Sequence, residues 1–207
     1  EQGALRSRLG IDVSSHQGAI DWPAVAADGV DFAIVRAGNR GYTEGALYAD
    51  ERFSENVDGA EAAGLATGVY FFSQAVTPDE AREEADFVLG LLAGRPLDLP
   101  VAFDHEPVSD ETGRANHLAG AELAACARAF CERIEQAGYD TLVYGNKRDI
   151  ARFGGDVPDG RPVWFAEYDV AVPTGQFDFV MWQYTSTGTV AGISTRVDLN
   201  IRFDAAG

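Results

Sequence analysis

Leu99-Pro100-Val101-Ala102-Phe103-Asp104-His105-Glu106-Pro107 runs an apolar segment straight into two acids separated by one residue. Leu99 to Phe103 has the length and composition of a buried strand, and Pro107, with no N–H to give to a ladder, ends it. Side chains alternate along a strand, so Asp104 and Glu106 share a face with Cα atoms ~6.5 Å apart. His105 then points the other way, towards packing rather than proton transfer. In a parallel barrel the C-terminal strand ends form the active face. Two acids there suit glycosidic cleavage, which needs a proton donor and a second carboxylate. Asp-x-Glu alone is common, and a solvated loop pair fits these residues too.

Strand and helix patterns alternate on both sides of this segment. Leu9 to Val13 reads as a first strand and Asp21 to Asp28 as a helix. Phe32-Ala33-Ile34-Val35 is a second strand, followed by a Gly- and Tyr-rich loop from Gly38 to Asp50. Phe53 to Ala63 reads as a helix closed by Gly64, and Thr67 to Phe72 as a strand. Thr77-Pro78-Asp79-Glu80 opens the next helix: Thr77 can cap, Pro78 suits the first turn, and Glu80 completes a capping box. A longer helix runs from about His117 to Ala137, where Leu123, Ala127, Phe130 and Ile134 keep helical spacing until Gly138. Thr141 to Tyr144 is the fifth strand. Val163 to Ala166, Val180 to Tyr184 and Arg196 to Leu199 then read as strands with short, Gly- and Pro-rich links. Five βα units followed by three strands predict an α/β fold with a parallel sheet closed into a barrel.

Composition narrows the function. At 207 residues the chain fits one domain, since α/β barrels run as single units at ~200 residues and above. No stretch approaches the ~18 uninterrupted apolar residues of a membrane span. A formal charge of −17 argues against nucleic acid or an anionic membrane surface as partner. Lys147 is the single lysine. Cys126 and Cys131 sit five apart in one helical pattern, a poor disulfide geometry and no zinc spacing, so they read as buried small hydrophobes. The N-terminus, EQGALRSRLG, has neither Met nor an apolar signal core and reads as a mature form or a domain of a longer chain.

Further acids sit at strand ends. Asp12 follows Gly10-Ile11 at the end of the first strand, and Asp198 follows Val197 near the end of the last. First and last strands are neighbours in a closed barrel, so both could face the same mouth as Asp104 and Glu106. Packed carboxylates raise at least one pKa, which keeps one acid protonated as a donor. Aromatic residues also gather at predicted strand ends: Tyr70, Phe72, Tyr144, Trp164, Tyr168, Trp182 and Tyr184. Flat rings with polar tips suit sugars. Trp182 and Tyr184, two apart, are expected to share the mouth face, with Gln183 outward.

Four motifs in order resemble the glycoside hydrolase 25 (Chalaropsis-type) lysozymes. Gly10-Ile11-Asp12-Val13-Ser14, with Gln17-Gly18 and Ile20-Asp21-Trp22, is similar to the family's opening signature. Gly68-Val69-Tyr70-Phe71-Phe72-Ser73-Gln74-Ala75 looks like its third strand, and Pro100 to Glu106 like its catalytic strand. Met181 to Ser186, Gly188, Val190, Gly192-Ile193 and Val197-Asp198-Leu199-Asn200 resemble its closing segment. The resemblance implies a TIM-like (β/α)5(β)3 barrel over residues 9–207 behind an N-terminal extension, residues 1–8. It implies cleavage of the β-1,4 bond between N-acetylmuramic acid and N-acetylglucosamine in bacterial peptidoglycan, outside the cell or at the wall. Glu106 would be the general acid and later the base. Asp104 would orient the substrate's 2-acetamido group for internal attack, or act as a direct nucleophile. Asp12 and Asp198 would tune the acids and bind substrate, while Tyr70, Tyr144, Trp182 and Tyr184 would line the groove. The family resemblance implies a monomer needing no metal or cofactor. His105 departs from relatives, which often carry a bulky aromatic or aliphatic residue there. A sugar-binding module without turnover and a chitinase-like enzyme are the other readings. The intact acids speak against the first, and Asp98 to Phe103 do not fit the acidic run of the second.

Overall fold

The computed structural model describes residues 6–154 and 157–204. Its elements run β1 (Arg6–Val13), α1 (Trp22–Ala27), β2 (Phe32–Arg40), β3 (Leu47–Ala49), α2 (Phe53–Ala62), β4 (Ala66–Phe72) and α3 (Pro78–Leu92). They continue with β5 (Val101–Asp104), α4 (Gly120–Gln136), β6 (Thr141–Asn146), α5 (Lys147–Ala151), β7 (Val163–Ala166), β8 (Met181–Gly188) and β9 (Val197–Asp204). All strands but β3 form a ring, β1-β2-β4-β5-β6-β7-β8-β9, closed by the pairing of β9 with β1. Ring pairings are parallel from β1 to β8, and β9 is antiparallel to both neighbours. This is the expected barrel of five βα units and three closing strands.

The structure differs from the sequence reading at several points; α4, for one, begins at Gly120 rather than near His117. β1 begins at Arg6, because Arg6 to Arg8 pair with Arg202 to Asp204 at the far end of β9; residues 1–5 of the extension lie outside the described residues. The loop from Gly38 to Asp50 contains β3, folded back on β2. Gly38 permits that approach, since a Cβ there would lie 2.2 Å from the Tyr48 carbonyl oxygen. At α3, Thr77 caps as expected, its hydroxyl accepting from Glu80 N–H at 3.2 Å. The Glu80 carboxylate does not close a capping box. It accepts from Val76 N–H at 2.8 Å and from Arg114 at 2.6 Å, so an arginine from the loop before α4 draws it away.

Period-two alternation divides the core in two. Phe32 and Ile34, Ala102, Leu142 and Tyr144, Trp164 and Ala166, and Met181 point into the barrel. Their neighbours Ala33, Val35, Val101, Phe103, Val143, Val163, Phe165 and Trp182 point outward under the helices. There Phe130 of α4 stacks on Phe71 of β4 and meets Phe103 of β5 at a ring separation of 5.3 Å. Burying each such large apolar side chain contributes ~1.5–3 kcal/mol. The two cysteines lie fully buried in α4 as free thiols, and burial pushes both up to about 12.

Inside the barrel, space is the constraint. The Phe32 ring fills the volume beside Gly10, where a Cβ would sit 2.2 Å from ring carbons. Phe32 is only 1% exposed and has nowhere to move. Gly10→Val should therefore lower stability by ~1–3 kcal/mol through overpacking, read as a lower urea midpoint at unchanged slope.

Candidate active site at the barrel mouth

At the C-terminal ends of the parallel strands a pocket of about 270 Å³ opens. Asp12, Asp104, Glu106 and Asp198 all line it, with Tyr70, Tyr144, Trp164 and Tyr168. Arg36, Phe72 and Gln183 complete the lining. A larger cleft of about 530 Å³ lies at the opposite end, beside Pro100, Thr141, Leu142 and Met181. Among its acids, Glu135 and Asp204 are paired with Arg161 and Arg8. In barrels of this kind that end serves stability rather than chemistry.

Asp12 and Asp198 meet because of strand direction. Asp12 is the second-last residue of β1, whereas Asp198 is the second residue of β9, not near its end. Since β9 runs antiparallel, its beginning lies at the mouth, and the two aspartates are directly opposed partners in the ladder. Burial and then the charge of Asp198 push Asp12 up to about 7. Burial also raises Asp198, to about 6.

Two amides hold Asp12. Asn200 Nδ2 and Gln183 Nε2 each donate to Asp12 Oδ2 at 2.8 Å. The indole N–H of Trp164 donates to Asn200 Oδ1 at 2.8 Å. An indole can only donate, so it sets the Asn200 amide with its oxygen towards Trp164 and its N–H towards Asp12. Gln183 Oε1 accepts from Tyr144 Oη at 2.8 Å and Tyr168 Oη at 2.5 Å. Three rings and two amides thus orient one carboxylate, and each hydrogen bond to it offsets part of its burial.

Asp104 and Glu106 lie side by side. Asp104 ends β5 inside the barrel and is 5% exposed. Burial, then the charge of Glu106, holds its carboxyl well above the usual range. Asp104 Oδ1 is buried with no hydrogen-bond partner. A carboxyl proton shared between the two acids would supply one, because two carboxylates can bond only when one is protonated. Glu106 is raised to about 7 by burial and by Asp149, against Arg152 and a hydrogen bond with Asp104. Its backbone carbonyl accepts from Gln74 Nε2 at 2.8 Å, which fixes the chain just beyond the strand.

His105 lies just past the end of β5 and faces away from the acids, its ring 5.8 Å from that of the outward-facing Phe103. Its Nε2 lies 3.1 Å from the Ala75 carbonyl and its Nδ1 3.3 Å from an Arg152 guanidinium nitrogen. A carbonyl only accepts and a guanidinium only donates, so the ring is neutral with its proton on Nε2. Burial and Arg152 lower its pKa to about 4. Arg152 also donates to the His105 carbonyl at 2.9 Å and the Leu118 carbonyl at 2.9 Å, binding the loop after β5 to the end of α5.

The placement of Trp182 and Tyr184 is corrected. Neither lines the pocket. In the β7–β8 register Met181 pairs with Trp164 and Gln183 with Ala166, all inward-facing. Trp182 packs in the outer core, its indole donating to the Glu167 carbonyl at 2.9 Å, with Tyr184 5.7 Å away ring to ring. Two aromatics two residues apart fit either face; the phase is set by Gln183, whose amide finds partners only inside. Arg36 is the other residue the sequence reading passed over. It follows Phe32 and Ile34 on the inward face, a signal present in the sequence. Its guanidinium is anchored on Asp50 at 2.7 Å and on Ser15 Oγ at 3.2 Å.

The profile of the glycosyl hydrolases family 25 matches residues 11–193. The chain is 30% identical over 191 residues to the autolytic lysozyme of Clostridium acetobutylicum, covering 92% of this chain and 54% of that protein. It is 30% identical over 203 residues to lysozyme M1 of Streptomyces globisporus, covering 92% of this chain and 66% of that one. The chain thus spans less than two thirds of the length of either relative. The modular autolysin LytC of Streptococcus pneumoniae, solved with a synthetic peptidoglycan ligand, is similar in fold at a TM-score of 0.83 and 25% identity, covering 96% of this chain and 47% of that one.

The opposed aspartates should be visible in stability. Asp198 is raised from 3.8 to about 6, so the native state holds its proton more tightly than the unfolded chain does. Stability therefore falls as pH rises from about 4 through about 6. Asp198→Asn should be more stable than the wild type at pH 8 by ~1–2 kcal/mol, a figure discounted for partial exposure. The gain should vanish near pH 4, as thermal unfolding at both pH values would show.

Proposed function

The chain belongs to glycosyl hydrolase family 25, and on that premise we propose that it is a muramidase, a lysozyme-type peptidoglycan hydrolase. Its bond is the β-1,4 link from N-acetylmuramic acid to N-acetylglucosamine. The observation that carries this proposal is the juxtaposition of Asp104 and Glu106 with Asp12 and Asp198 in one pocket at the barrel mouth. The named lysozymes among its relatives support the substrate class.

In this proposal the Asp104–Glu106 pair retains one proton in neutral water, because burial disfavours two adjacent negative charges. Glu106 delivers that proton to the leaving glycosidic oxygen. Asp104, left negative, orients the substrate's 2-acetamido group, whose carbonyl oxygen attacks the anomeric carbon. The cyclic cation that forms lies against the Asp104 charge. Glu106, now a carboxylate, takes a proton from the water that opens the cation, and the anomeric configuration is retained. Asp12 and Asp198 keep the mouth negative and hold both catalytic pKa values up, while Tyr70, Tyr144, Trp164 and Tyr168 frame the sugar. The working unit is the barrel that β1 and β9 close, acting as a monomer at the bacterial wall outside the cytoplasm. Among the described residues no helix is long and apolar enough to cross a membrane.

Mass spectrometry of fragments released from purified peptidoglycan tests the assignment: new reducing ends should be muramic acid. Reducing glucosamine ends, or no release at all, would overturn it. Glu106→Gln should lose ~10²–10⁴-fold in kcat with the fold intact. Because the Glu106 carboxyl loses its proton near pH 7, wild-type activity should fall as pH rises through about 7. A rate maximum above pH 9 would contradict Glu106 as donor.

A further inference from the structure

Beyond the pocket, the hydrogen-bonded register continues outward on one side. Asp104 pairs with Phe72, Phe72 with Asn39, and Asn39 with Tyr48. Residues paired across a sheet point to the same face. Asp104 and Phe72 face the pocket, so Asn39 and Tyr48 face the mouth side as well. Their chain neighbours agree. Arg40 turns to the helix side and bonds Glu84 of α3 at 2.8 Å, and Leu47 packs against the outer core. Tyr48 is 49% exposed, a large ring more open to solvent than the pocket's own Tyr168 at 39%. Glu44, on the same β2–β3 hairpin, lies near the Tyr48 hydroxyl and raises its pKa. Three strand spacings of ~4.8 Å separate its backbone from that of Asp104, ~14 Å in all. A short run of linked sugars spans that distance; a single sugar does not.

We propose that Tyr48, with Asn39 beside it and Phe72 leading back to the pocket, forms an outer glycan subsite on the β2–β3 hairpin, where a sugar remote from the cleaved bond stacks on the exposed ring. A flat ring with a polar tip suits the apolar face and hydroxyls of a pyranose. Asn39 supplies an amide for the flanking groups. The subsite rests on the proposed glycan-cleaving role. It makes the enzyme a reader of strand length: a polysaccharide reaches both the acids and Tyr48, and a disaccharide reaches only one of them.

The test separates this inference from the reading it rests on. Binding of β-1,4-linked N-acetylglucosamine oligomers, from dimer to hexamer, is measured by calorimetry on Glu106→Gln protein, with and without Tyr48→Ala. Affinity should rise with length, and Tyr48→Ala should weaken hexamer binding roughly three- to tenfold while leaving the dimer unchanged. Tyr48→Phe, which keeps the ring, should restore most of the loss. Equal effects on dimer and hexamer, or none on the hexamer, would overturn the subsite even if the wild type cuts peptidoglycan. In turnover, Tyr48→Ala should raise KM for polymeric peptidoglycan and leave kcat on a short fragment as it was. Wild-type protein that binds the hexamer through Tyr48 yet releases nothing from peptidoglycan would sink the muramidase assignment alone.

Discussion

Closing a sheet on itself makes every second side chain of each strand share one narrow interior. Low in the barrel Phe32, Leu142, Met181 and Trp164 meet that demand with apolar volume, and Gly10 yields room for the Phe32 ring. At the top the same inward phase delivers Asp12, Asp104, Gln183 and Asp198 to one point. Apolar packing below therefore determines how closely the acids stand above, since a barrel strand cannot slip by one residue without turning its whole inner row outward.

Holding like charges together costs stability, and the structure limits the cost with oriented dipoles. Asn200 and Gln183 direct N–H groups at Asp12, and each amide is itself aligned by ring donors behind it. Arg36 is the one basic group among the residues lining the pocket, and its attachment to Asp50 keeps it in place. Asp104 receives no such donor at its buried oxygen. The least compensated carboxyl is the one beside Glu106, where a shared proton is of use.

The shell outside the strands has a different task. Gln74 and Arg152 bond the backbone carbonyls of Glu106 and His105, and the neutral His105 ring bridges Arg152 to the loop after β4. Arg40, Glu84 and Ser73 tie β2, α3 and the end of β4 through a buried ion pair of 2.8 Å and a hydroxyl bond of 2.6 Å. Such ties hold the irregular segments above the strands, where no ladder does so.

Local pattern alone determined a good deal. Thr77-Pro78 and Gly64 punctuate helices through backbone chemistry confined to a few residues, and the apolar run ending at Asp104 reads as a strand wherever it lies. The inward phase shared by Asp104 and Ala102 follows from alternation. What escaped the sequence depends on partners far along the chain. Trp182 and Gln183 are each compatible with either face of β8, and only Tyr144, Tyr168 and Asp12 inside the barrel select the amide. Asp198 reaches the mouth from the start of its strand because β9 runs against its neighbours, a direction set by the ladder it makes with β1 and β8 and by no residue within it. The β2–β3 hairpin likewise hides in a Gly- and Tyr-rich segment, since its pairing needs the bare Gly38 backbone in contact with Tyr48. Alternation and capping are local, so the sequence by itself carried them; strand direction, facing and closure are relations between distant segments, and the tertiary structure alone decided those.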